Sequence, residues 1–156
     1  MSGSMTYSID SSALIHAWRR AYRPKNFPSF WQHMDELIDE HRLKASIEVL
    51  TELKRKDDDI YEWCKERREK LFVELDEETQ DAVVALMANY PRLVDTAKGR
   101  SGGDPFVIAL AQSTAIQMTV VTEENPGKTK IPDVCLAEGI EVMKIVDLIE
   151  QEDWVL

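Results

Sequence analysis

The sequence predicts an α/β fold: one domain with a central, mostly parallel sheet of four or five strands flanked by helices. Three observations carry that expectation. Short apolar and β-branched runs, such as "TYSID" at 6–10 and "QMTVVT" at 117–122, alternate with longer segments of helical periodicity, the pattern that strand–helix units leave in a parallel sheet. The chain has 156 residues, 44% of them hydrophobic, which is one domain's length with ordinary core content. No internal repeat or low-complexity segment interrupts the alternation. Strand order does not follow from this pattern.

Taken in order, residues 6–10 read as a short buried strand and 11–22 as a helix whose stripe includes Ala13, Leu14, Ala17 and Trp18. The segment 23–30 is a loop punctuated by Pro24 and Pro28. A helix over 30–41 follows, with Phe30, Trp31, Met34, Leu37 and Ile38 at helical spacing. A brief strand at 42–47 enters a helix over 48–56. The next helix, 57–70, has an acidic start and a basic end that complement its dipole. "LFVEL" at 71–75 is a strand or extended connector, and 76–90 is a helix capped by Asp76 and stopped near Pro91. The segment 99–116 is a glycine loop opening a buried helix, and 117–122 is the clearest strand. A loop at 123–132, a short helix at 133–139 ended by Gly139 and a strand at 141–146 follow. Asp147 begins the last helix.

Composition narrows the function classes. The opening "MSGS" reads as an expression scar ahead of a natural start at Met5, leaving 5–156 as the domain. No signal-peptide pattern follows, and no apolar run approaches the roughly 20 residues that span a bilayer. Cys64 and Cys135 are far apart and in no CxxC pair. That argues against a zinc ribbon or disulfide scaffold and suits a reducing cytoplasm. The net charge of −10 argues against passive nucleic-acid binding, yet it allows a site that gathers carboxylates around a divalent cation. Basic clusters survive at 18–25, 53–56, 64–70 and 98–100, and such runs usually only solubilise a face.

Several acids sit where chemistry is done in open α/β sheets, at the carboxyl ends of strands. Asp10 ends the first strand, Asp104 opens a helix after "SGG", and Glu123 and Glu124 follow "MTVVT". Glu52 lies between apolar turns of "VLTELKR". Carboxylates crowded in one cleft need a hard cation, and Mg²⁺ or Mn²⁺ suits all-oxygen sites. Each acid also has a plainer role open to it. Asp104 before Pro105 makes a good helix cap. At the first strand Ser12 is the rival capper, which leaves Asp10 freer. Glu52 lies opposite the stripe of Ile47, Leu50 and Leu53, so periodicity alone makes it a surface residue paired with Lys56. Glu123 and Glu124, in a loop, would ordinarily be solvated.

Other constellations carry less. His16, His33 and His41 have no metal-ligand spacing with each other or with cysteine, and His16 reads as an ordinary helical histidine. There is no P-loop, GxGxxG or GxSxG motif. The four tryptophans read as packing residues. A receiver domain would want paired acids after the first strand, and a haloacid-dehalogenase-like phosphatase would want Asp-x-Asp. "IDSS" offers one acid, with Ser12 in the second place.

In four places, taken in order, the residues resemble PIN-domain nucleases, including VapC-type toxins. "YSIDSSALI" resembles the family's first strand and acidic motif, and "ASIEVLTELKR" the second motif with its glutamate. "SGGDPFVIALA" resembles the third, and "TVVTEEN" the fourth, a strand ending in Thr and then an acid. The match spans residues 6 to about 125. The ending from "NPGKTKIPDVCLAEG" to the final Trp is similar to a bacterial PIN-like subfamily. The fourth acid departs from the usual Asp: it is Glu124, with Glu123 beside it.

That resemblance implies a PIN-like domain and a metal-dependent ribonuclease, often the toxin of a toxin–antitoxin pair. Asp10, Glu52, Asp104 and Glu124 would be its catalytic acids, with Asp10, Asp104 and Glu124 holding Mg²⁺ or Mn²⁺. Ser12, Thr122 and Glu123 would support the site. Arg19, Arg20, Lys54 and Lys98 would steer the RNA backbone. The expected partners are RNA, an antitoxin protein and a second copy of the chain, with no membrane. The rival expectation is a PIN-like interaction module, binding protein or RNA, that has lost turnover.

Overall fold

The computed structural model describes residues 5–56, 58–93, 104–113 and 117–156. The opening "MSGS", the glycines of the 99–103 loop and Lys98 lie outside the described residues. The chain begins with β1 (Tyr7–Ile9), α1 (Ser11–His16) and a π-helical turn over Ala17–Ala21, then α2 (Pro28–Asp39), β2 (Leu43–Ser46) and α3 (Ile47–Lys56). After these come α4 (Asp58–Lys65), the single turn α5 (Arg68–Leu71), β3 (Phe72–Val73) and α6 (Glu77–Asn89). The remainder comprises α7 (Asp104–Gln112), β4 (Thr119–Val121), α8 (Ile131–Glu138), β5 (Val142–Met143) and α9 (Ile145–Gln151). Among the described residues no helix is long and apolar enough to cross a membrane.

All strand pairings are parallel and the order is β3-β2-β1-β4-β5. Tyr7 registers with Leu43 on one side and with Thr119 on the other. The chain therefore winds outward from β1 through β2 and β3, returns to the far side of β1, and winds outward again through β4 and β5. Between β1 and β4 the winding reverses. Open α/β sheets bind ligands outside the carboxyl ends of strands at such a reversal.

Helices cover both faces of the sheet, so Tyr7, Ser8 and Ile9 of the central strand are fully buried, as parallel strands usually are. Most of α7 is buried too, from Val107 to Ala111. The Ser8 hydroxyl donates to the Val107 carbonyl at 2.9 Å and holds that helix against β1. Beneath the sheet, the tryptophans pack as their spacing suggests. The Trp18 and Trp31 rings lie 5.0 Å apart, Trp31 and Trp63 4.9 Å, and Trp154 meets Phe30 at 5.8 Å. The C-terminal segment is tied down by Glu152, which accepts from Tyr7 Oη and pairs with Arg42 Nη2 at 2.6 Å.

Several elements differ from the expected bounds. The helix expected over 11–22 changes pitch at Ala17, where Tyr22 N–H reaches the Ala17 carbonyl at 2.9 Å. Pro28 opens α2 instead of sitting in the loop, because its missing N–H costs nothing in a first turn. The helix expected over 57–70 breaks before Arg68. There Arg67 turns to grip Asp35, its Nη2 3.0 Å from Oδ2, and its guanidinium lies 4.0 Å over the Trp63 ring. The outer strands are short because each pairs on one side alone. Asp147 lies inside the first turn of α9, accepting the Lys144 N–H at 3.0 Å, and not ahead of it.

Candidate functional site

Asp10 stands where β1 becomes α1, at the reversal of the sheet. It is both the cap and a site residue. Its Oδ1 accepts the N–H groups of Ser12 and of Ala13, the latter at 3.3 Å. Its Oδ2 accepts the Thr122 hydroxyl at 2.5 Å, from the end of β4. Ser12 is thus not the capper. It lies in the first turn, where its Oγ instead receives the Glu123 N–H at 3.1 Å and meets Thr122 Oγ1 at 3.2 Å. Since the single Thr122 proton goes to the Asp10 carboxylate, Ser12 donates to Thr122. The hydroxyls of Ser12 and Thr122 are therefore placed against Asp10.

The Asp10 side chain is buried, with the residue 3% exposed. Burial pushes its carboxyl up from 3.8 to about 6, and the charge of Glu124 adds to the rise. The hydrogen bonds from Thr122 and Ser12 pull the other way. An anion is being held where water would ordinarily solvate it.

Glu52 is buried as well, at 3% exposure. This overturns the surface position that periodicity assigns it. The face of α3 opposite its apolar stripe packs toward α1, where Ser11 Oγ donates to Glu52 Oε2 at 3.1 Å. The expected pairing with Lys56 does form, at 3.6 Å. Asp104 lies in the first turn of α7, also buried. Because α7 leads into the parallel strand β4, its N-terminal end lies at the sheet edge where β1 and β4 finish. Asp10, with Glu52 behind Ser11, and Asp104 thus belong to one edge of the molecule.

Neither glutamate after β4 is simply solvated. Glu123 Oε2 accepts the first N–H of α9, at Ile145, 2.8 Å away, and its Oε1 faces His16 Nε2 at 3.6 Å. Glu124 Oε1 accepts the first N–H of α8, at Ile131, 3.2 Å away. Its own N–H donates to Thr122 Oγ1 at 3.2 Å. Adjacent residues thus each satisfy one orphan donor, at the starts of two different helices.

The donor set is all oxygen, the chemistry a hard divalent cation prefers. Among the described residues, no group of three or more His, Cys, Asp or Glu side chains is close enough together to hold a metal ion. The acids share an edge without forming a closed coordination shell.

Of the basic residues expected to steer a backbone, Arg19, Arg20 and Lys54 are exposed, and Arg19 Nη2 donates to the Lys56 carbonyl at 2.8 Å. Sequence reasoning passed over Ser11, which fastens Glu52, and His16, which faces Glu123. Serine in a first helical turn reads as a capper, and the histidine's partner lies more than 100 residues away in the chain.

A family model described as Domain of unknown function (DUF4411) matches residues 7–156. No curated protein matches the sequence. Among solved structures, the chain is similar to one in the crystal structure of VapBC2 from Rickettsia felis bound to a DNA fragment from their promoter. The TM-score there is 0.55 at 14% identity, covering 90% of this chain and 98% of that one. It is also similar to a chain in the crystal structure of DNA-bound VapBC from Salmonella typhimurium, with TM-score 0.58, 15% identity and the same coverage. At these identities the likeness is one of fold: the architecture is PIN-like.

Proposed function

The chain belongs to the family described as Domain of unknown function (DUF4411), and for this PIN-like member we propose a metal-dependent endoribonuclease, the toxin of a toxin–antitoxin pair. The observation that carries the reading is Asp10: a buried carboxylate, at the end of the central strand, clasped by Thr122 from the strand beyond the reversal. Asp104 and Glu124 would join it in holding Mg²⁺ or Mn²⁺, with Glu52 close by. A divalent cation there would supply Lewis-acid activation of water and neutralise charge building on the phosphodiester.

The chain's own residues prepare that edge. Thr122 and the Ser12 N–H fix both oxygens of Asp10, so the carboxylate need not reorient when a ligand arrives. Glu123 and Glu124 anchor the starts of α9 and α8 beside it. With its carboxyl pushed up to about 6, Asp10 is ionised at neutral pH and protonated in mild acid. An antitoxin would act by covering this edge. The two similar chains, which come from VapBC complexes bound to DNA, support that kind of partner by fold alone.

The test is cleavage of mixed RNAs with Mg²⁺, Mn²⁺ or EDTA, comparing the parent with Asp10→Asn and Asp104→Asn. Loss of Mn²⁺-dependent cleavage in both variants is expected. Full activity in either sinks the proposal. Two observations favour a second reading, a PIN-like interaction module without turnover. The Glu124 carboxylate is engaged by α8, and no three acids close into a shell among the described residues. Calorimetric titration with Mn²⁺ separates the two, since a degenerate site gives little heat.

A further inference from the structure

The chain carries 29 acidic residues against 19 Lys and Arg, yet the fold brings two basic segments together. The π-helical turn after α1 bears Arg19 and Arg20, and the last turn of α3 bears Lys54, Arg55 and Lys56. These segments are far apart in sequence and are tied together by the Arg19 bond to the Lys56 carbonyl, at 2.8 Å. Arg23 extends the group, its Nε donating to the Arg19 carbonyl at 2.7 Å. All six side chains are exposed. Arg20, Lys54 and Arg55 pair with no carboxylate among the described residues.

Cations at the end of one helix can be explained by its dipole, which accounts for the three on α3. It does not account for bringing a second basic segment against them, since like charges at close range cost stability. The acids at 57–59 that follow belong in sequence to the start of α4, the end that favours negative charge. The patch also leads to the candidate site. Lys56 reaches Glu52 at 3.6 Å, and Glu52 is held by Ser11, the neighbour of Asp10. At its other margin lies Phe27, an exposed aromatic whose N–H bonds the Arg23 carbonyl at 2.8 Å.

We propose that Arg19, Arg20, Arg23, Lys54, Arg55 and Lys56 form a track for the phosphodiester backbone of single-stranded RNA, with Phe27 as a stacking surface at its far end. The track rests on the nuclease reading for its destination and on its own charges for its binding. Cations tracking a backbone beside an aromatic face are the ordinary means of holding single strands.

The experiment measures binding, in EDTA, of a fluorescent single-stranded RNA of about 15 nucleotides, the scale of one single-strand site, across a series of salt concentrations. The probe is offered to the full chain, to Arg20→Gln/Lys54→Gln/Arg55→Gln, to Phe27→Ala, and to the charge-matched control Lys65→Gln/Arg68→Gln/Lys70→Gln. Each phosphate contact contributes about 0.7 to the log–log salt slope for single strands. The triple variant is therefore expected to lose about 2 from the slope and at least tenfold in affinity, with unchanged or higher thermal stability. Phe27→Ala should weaken binding at an unchanged slope. The control should bind as the parent does, and DNA of the same sequence should give the parent's slope. Parent-like binding by the triple variant, or an equal loss in the control, overturns the track. A parent that binds with this slope but never cleaves with Mg²⁺ or Mn²⁺ overturns the nuclease reading and leaves the track standing.

Discussion

Thr122 donates its hydroxyl proton to Asp10 Oδ2 at 2.5 Å, joining the ends of β4 and β1 where the sheet reverses. That bond partly offsets the burial that pushes the Asp10 carboxyl to about 6. Removing it with Thr122→Val should push the carboxyl higher still and leave the Glu124 N–H without its acceptor. The expected cost is roughly 1–3 kcal/mol, the penalty for an unsatisfied buried group. Thr122→Ser should restore both. Denaturant unfolding gives the cost, and the carboxyl ¹³C titration of Asp10 gives the shift. A downward shift in the valine variant would refute the assignment.

Asp10 also sets a pH dependence of stability. Its carboxyl titrates at about 6 when folded and at the ordinary 3.8 when unfolded, so the folded state holds the proton more tightly. The contribution of Asp10 to stability is complete below pH 3.8 and is lost as pH rises through 6. The difference amounts to about 3 kcal/mol between those limits. Asp10→Asn keeps an oxygen for the cap and cannot ionise. It should melt several degrees above the parent at pH 8 and near it at pH 4, with about 1 kcal/mol of the gain offset by weaker hydrogen bonds. Thermal melts from pH 4 to 8 decide this, and a variant less stable than the parent at pH 8 contradicts it.

Glu52 and Lys56 make an asymmetric pair, one buried and one half exposed. Glu52→Gln should fold as well as the parent, since the amide oxygen still accepts from Ser11. Lys56→Met removes the cation that faces that carboxylate and should cost about 1 kcal/mol, discounted for exposure of the lysine. In the Glu52→Gln background the cost of Lys56→Met should largely vanish, because the glutamine no longer needs a counter-charge. A double-mutant cycle that is strictly additive would show the pair to be uncoupled.

The glutamates after β4 can be separated by the helices they serve. Glu124→Gln keeps an acceptor for Ile131 and removes a charge that adds to the rise caused mainly by burial at Asp10, so the Asp10 titration should move down. Glu124→Ala should lose the cap as well, at about 1 kcal/mol. Glu123→Ala should cost a similar amount at the start of α9 while moving the Asp10 titration less. Hydrogen exchange at Ile131 and Ile145 reports each cap independently, and exchange unchanged at both would refute these roles.

The sheet was legible because runs such as 6–10 and 117–122 are short and rich in apolar and β-branched residues, as strands covered on both faces usually are. The order was not, since such strands look alike from either neighbour. Asp10 could be singled out from its place at a strand end, and Asp104 from the start of its helix. Glu52 could not: periodicity assumes one buried face, and α3 is covered on two. The capping by Glu123 and Glu124 was hidden for a related reason. Their partners, Ile145 and Ile131, are brought to them by the fold, and nothing local to "TEEN" signals it.

The convergence of these acids is tested most directly by diffraction from crystals grown at pH 7.5 and soaked in Mn²⁺, with data collected at the manganese edge. If Asp10 and Asp104 share a cation, the anomalous map carries a peak bonded to both carboxylates in the parent and none there in Asp10→Asn. A peak elsewhere, or an edge that stays empty in a parent that binds Mn²⁺ in solution, would contradict the shared site.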